Sequence, residues 1–197
     1  MTNPSTPYGF TSVGLIDGSA PTGGIYKRGA VNPASSSKIF QGDVVAPLSG
    51  GFFAAQAPTG GGAPVGGIAV GDFSWTSLTA RMQIWQNWWT GNTADVPSGG
   101  GVSIGVNANQ QEVFKVRSAG TSSAAVNATQ VGSNANFVAG SGGNTANGLS
   151  SYALDDANIG SGASLPFKIY GLVPAPESDP TSIYNEVFVI FNSLTSP

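Results

Sequence analysis

Glycine and proline interrupt this chain so often that a long helix has nowhere to form. There are 29 glycines and 13 prolines among 197 residues, and most ten-residue stretches carry at least one. Inside a helix each glycine costs roughly 1 kcal/mol and each proline roughly 3 kcal/mol relative to alanine. The runs left between them are short and have strand character. They read as Phe10–Ile16, Gly24–Arg28, Lys38–Gln41, Asp43–Pro47, Gly51–Gln56, Val65–Val70 and Arg81–Trp85 in the first half. In the second half they are Val102–Val106, Glu112–Arg117, Asn136–Ala139, Tyr152–Leu154, Pro166–Val173 and Tyr184–Asn192. Many short strands separated by turn signals point to an all-β fold, a sandwich or barrel of antiparallel strands with long Gly/Pro-rich loops.

Two late runs are the clearest. Glu112–Arg117 puts Glu112, Phe114 and Val116 on one face and Val113, Lys115 and Arg117 on the other, as expected of a strand with one packed face and one partly wet face. Glu186–Phe191 is almost wholly apolar and reads as a central strand covered on both sides, with Phe167–Leu172 as its companion across the Pro174–Pro180 turn. Residues 1–36 are rich in Pro, Gly, Ser and Thr and read as an extended N-terminal arm or loose hairpin. Residues 37–197 then form a single β-rich domain. Ala57–Pro64, Ser118–Asn136 and Gly140–Asn147 read as flexible stretches. A chain of this length buries roughly 70% of its unfolded surface and needs no staples.

Composition removes whole classes of chemistry. With no cysteine there is no disulfide and no thiolate metal site, and with no histidine the usual general base and commonest metal ligand are gone. Charged residues make up 9% of the chain, against about 25% in typical soluble domains. The net charge is −3, and the seven basic residues are scattered, so the electrostatic footprint of a nucleic-acid binder is missing. Interface cores are depleted in charge, and a charge-poor surface suits a protein covered by neighbours. No apolar run approaches the length of a membrane span, and the polar start of the chain does not read as a secretory signal. The expectation is a protein without membrane or nucleic-acid contact, made in a cytoplasm.

The search for a catalytic or cofactor site returns little. Serine and cysteine triads are impossible without histidine. The one adjacent carboxylate pair, Asp155 and Asp156, reads as a turn in which the side chains bond nearby backbone N–H groups. A calcium loop beginning at Asp156 would lack its terminal glutamate. Gly60–Gly62 and Gly99–Gly101 lack the following Lys-Ser/Thr and the helix of a phosphate-binding loop. Asn127–Thr129 is a glycosylation sequon by pattern only. No enzyme and no cofactor are expected.

The most distinctive segment holds all four tryptophans, Trp75, Trp85, Trp88 and Trp89, with Arg81 at its start. Tryptophan and arginine dominate binding hot spots. Three readings stand in order: rings in the protein's own core, with Ile84 and Trp85 best placed; a protein–protein contact; and a sugar platform assisted by Gln83, Gln86 and Asn87. Arg81, Trp85, Trp88 and Trp89 are the interface candidates here, joined by Tyr8 and Phe10 near the start of the chain.

The ordered succession Val131–Gly140, Gly148–Asp155, Leu165–Val173 and Val187–Asn192, preceded by Tyr8–Phe10, Gly29–Pro33, Ile39–Val45 and Gly67–Gly71, resembles a family of tailed-bacteriophage virion structural proteins. The resemblance covers most of the chain; Asp72–Gly101, with its tryptophans, departs from the more usual polar, Tyr-containing stretch. It implies a capsid decoration, or cement, protein on the outer surface of the head. The implied partner is the major capsid protein, the implied assembly is a homotrimer, and the implied place is the virion, assembled in the bacterial host cytoplasm. The alternative within the same class is a head-fibre base or tail protein with a tryptophan-rich glycan- or protein-contacting surface.

Overall fold

The computed structural model describes residues 3–21, 27–58, 65–140 and 142–192. They form an all-β sandwich. Thirteen strands lie in two sheets, with two single-turn 3-10 segments at Thr93–Asp95 and Ala128–Gln130. The strands are β1 (Thr11–Leu15), β2 (Lys27–Val31), β3 (Val44–Pro47), β4 (Phe52–Ala55), β5 (Gly67–Ala69), β6 (Phe73–Thr76) and β7 (Gln83–Gln86). They continue with β8 (Val102–Asn107), β9 (Glu112–Arg117), β10 (Asn134–Val138), β11 (Ala153–Gly160), β12 (Phe167–Leu172) and β13 (Glu186–Phe191). No helix among the described residues is long and apolar enough to cross a membrane.

One sheet has six strands in the order β1-β9-β13-β12-β10-β11, and the other has seven in the order β2-β4-β3-β5-β8-β6-β7. In the second sheet β2 pairs with β4 in parallel and with β8 antiparallel. Strands β2, β4, β3, β5 and β8 therefore close into a ring, and β6–β7 branch from β8. The ring encloses one core, which includes Val31, Val45, Phe53, Val102, Ile104 and Val106. Gly29 in β2 is required there: a Cβ at this position would lie 2.4 Å from the Phe53 ring. The second core fills the space between the ring wall and the six-stranded sheet. Val44 and Ile68 meet Phe114, Val116, Val187 and Val189 there, and Phe10 stacks on Phe167 at 4.5 Å.

As expected, β13 is a central strand between β9 and β12; its outer residues Phe188 and Ile190 are half-buried, not covered. Several expectations need correction. Phe73–Thr76 forms β6, a strand not anticipated. Lys38–Gln41 is held only by single bridges, Ile39 to Trp89 and Gln41 to Leu149. Asp155 and Asp156 sit inside β11, where a register shift opens the ladder between Ala135 and Asn136 of its partner β10. Ser118–Asn136, expected to be flexible, is tied down. Asn185 bonds both backbone groups of buried Val126, and Asp156 accepts from the Thr121 and Ser122 N–H groups at 3.0 and 3.2 Å. Gly60–Gly62 and the start of the expected Gly24–Arg28 strand lie outside the described residues.

Within residues 1–36, β1 joins the six-stranded sheet beside β9 and β2 joins the ring. The chain before β1 lies along the domain. Asn3 donates to Ser178 Oγ and to the carbonyls of Asp179 and Tyr184. The Thr6 carbonyl accepts from Arg117, and the Gly9 and Phe10 N–H groups bond Tyr152 O and Gly42 O.

Candidate interaction surfaces

Strands β6 and β7 form a hairpin with a regular register, Trp75 opposite Ile84 and Ser74 opposite Trp85. Successive side chains on a strand point to opposite faces. Trp75 and Ile84 share the inward face and pack on the ring core, so Trp85 points outward. It is 60% exposed. The sequence expectation that Trp85 would be a core ring is therefore corrected: Trp75 and Trp89 fill the core, edge to face at 5.1 Å. Trp89 is fully buried, its indole N–H donating to Ser35 O, and it offers no surface to a partner. Trp88 is half-buried, stacked on Phe40 at 5.2 Å with the Lys38 ammonium 5.7 Å from its ring centroid.

The hairpin turn is organised by Asp95. Its carboxylate accepts from Ser77 Oγ at 2.8 Å, the Thr79 N–H at 2.9 Å and the Trp75 indole at 3.3 Å. The hydrogen bonds from Thr79, then Ser77, hold this carboxyl down at about 2. Arg81 occupies the turn with φ of 57°, and its side chain is exposed beside Leu78 and Met82, which are exposed too.

The other two candidates fall elsewhere. Phe10 is core. Tyr8 lies against the Arg117 guanidinium, 5.0 Å from ring to cation, at the end of an ion-pair network on the outer face of the six-stranded sheet. Arg117 pairs with Glu186 at 2.6 Å, both side chains being about nine-tenths buried, and Lys115 pairs with Glu177 and Glu186. Burial, then the Glu186 carboxylate, pushes the Tyr8 hydroxyl well above its usual range.

Further along that face is a surface that sequence reasoning missed. In β1 the register with β9 slips between Ser12 and Gly14, leaving Val13 as the extra residue. In β12 it slips against β13 between Ile169 and Gly171, leaving Tyr170 as the extra residue. Each bulge carries an outward-facing apolar side chain: Val13 is 37% and Tyr170 46% exposed, beside Ile16 at 40%. Together with Val113 and Phe188 they line a shallow groove of about 250 Å³ that has no charged side chain in its wall. A bulge leaves no mark in the alternation of a short strand, so only the pairing reveals it.

Asp155 accepts from the Ala157 N–H and from Asn158, and Asp156 is taken up by Thr121 and Ser122. Among the described residues no three Asp or Glu side chains converge as metal ligands would. Asn127 caps the 3-10 turn Ala128–Gln130 with its own side chain. No protein-family model, curated protein or solved structure matches the chain.

Proposed function

We propose that this chain is a structural virion protein, a decoration or cement protein that sits on the outer surface of a tailed-bacteriophage head and stabilises contacts between capsomers. Its partner is the major capsid protein, its assembled form a homotrimer and its place the capsid surface. No catalytic step and no cofactor belong to this reading.

The observation that carries it is the pair of β-bulges. Val13 and Tyr170, the extra residues of bulges in β1 and β12, line one apolar groove with no charged side chain in its wall. Bulges act as built features of a sheet, and a contiguous exposed apolar surface fits a contact with another molecule. The charge content of 9% fits a protein that is covered on assembly. The family resemblance supplies the identity of the partner. A repeated lattice then multiplies a modest contact into a large stabilisation.

Purified protein sedimented with emptied mature heads, with isolated tails as control, tests the reading. Saturable binding to heads at a fixed ratio to the major capsid protein is expected. Binding to tails alone, or to neither particle, contradicts it.

A further inference from the structure

The outer face of the β2-β8-β6-β7 layer carries a row of side chains that the decoration reading leaves unused. Register places Ala30 beside Ser103, Ser103 beside Ser74, and Ser74 beside Trp85. Paired residues project to the same face, so the row runs across four strands and ends at an exposed indole. The neighbouring row holds Thr76 and Gln83, which are hydrogen-bonded to each other at 3.3 Å. An open groove of about 280 Å³ lies over this layer, floored by small residues that include Gly101 and Ala30; the Trp85 indole is outside its wall and stands at its edge, as the strand partner of the lining residue Ser74. Every polar group lining it is a hydroxyl or amide, and no charged side chain lines it.

We infer that this groove is a binding site for a neutral saccharide. The chemistry selects that class. An indole exposed over most of its area offers a flat apolar surface for the C–H face of a pyranose, since aromatic side chains combine large contact area with specific stacking geometry. Hydroxyl and amide groups both donate and accept, matching sugar hydroxyls without the desolvation cost of a charge. A nucleotide or acidic ligand would require cations, which the groove lacks. Trp88 cannot take the role, because its ring is already stacked on Phe40. The site lies on a different sheet from the groove of Val13 and Tyr170, so head contact and sugar contact are separable.

The test is a titration of the full chain with neutral oligosaccharides of glucose, galactose, mannose and N-acetylglucosamine, followed by tryptophan fluorescence and by amide chemical shifts. At least one series should shift the resonances of Ser74, Gln83, Trp85 and Ser103. Trp85→Ala should weaken that binding at least tenfold and Gln83→Ala several-fold, while Trp88→Ala leaves it unchanged. Head binding is measured in parallel on the Trp85→Ala variant. Sugar binding by the parent chain that is lost in Trp85→Ala supports the assignment whether or not the parent binds heads, and where the parent does bind heads, Trp85→Ala should keep that binding. Three results would overturn it: no response to any series, saccharide binding unaffected by Trp85→Ala, or loss of head binding on Trp85→Ala, which makes this face a protein contact.

Discussion

Asp43 is a carboxylate held almost entirely out of water, just before β3, where its side chain accepts the Phe40 N–H at 2.9 Å. Burial pushes its pKa up from 3.8 to about 6, against the hydrogen bonds from Ser150 and Phe40 that favour the anion. Between about pH 4 and pH 6 the folded chain therefore keeps a proton that the unfolded chain has released. Stability falls as pH rises through that window and stays lower above it. Asp43→Asn should raise the melting temperature at pH 8, by the equivalent of roughly 2–3 kcal/mol, and change little at pH 4; an equal effect at both pH values would contradict the assignment. The Arg117–Glu186 pair behaves differently. Glu186→Gln leaves a buried guanidinium without its counter-charge, and urea denaturation should show a loss of about 3 kcal/mol. The tryptophans separate in the same way. Trp89→Ala opens a cavity in the ring core and should cost about 3–5 kcal/mol, whereas Trp85→Ala should stay within about 0.5 kcal/mol of the parent.

At the scale of the element, the β6–β7 hairpin depends on an uncommon turn. Arg81 adopts the left-handed region, which costs a residue with a Cβ about 1 kcal/mol. Arg81→Gly should raise hairpin stability, read as slower amide exchange at the Ser77 N–H, which bonds Met82 O across the turn; faster exchange would show that the arginine side chain itself holds the turn. The strands most legible in the sequence were β9 and β13, because six consecutive residues give alternation or apolar continuity enough to read. β6 was not legible. Four residues bounded by Asp72 and Ser77 carry too little pattern, and Ser74 looks polar because it faces the outer row. The phase of β7 was also hidden. Alternation says that Ile84 and Trp85 face opposite ways, but which one faces the core is set by pairing with Trp75. The two bulges lay beyond sequence reading for the same reason, since they are properties of a pair of strands.

For the whole molecule, the all-β class followed from the density of glycine and proline. The closed ring could not be foreseen, because it rests on β2 pairing on both sides. That ring and the six-stranded sheet give the chain two cores and two separate exposed faces, one at Val13 and Tyr170 and one at Trp85. On the proposed reading, the face at Val13 and Tyr170 is the one that meets the capsid lattice. The measurement that bears most directly on this account is co-sedimentation with emptied heads, comparing the parent chain with a Val13→Asp, Tyr170→Asp double variant. Both substitutions fall on exposed bulge residues, and an unchanged melting temperature would show that the fold is kept. The account predicts saturable binding of the parent and at least a hundredfold weaker binding of the variant; equal binding of the two chains would contradict it.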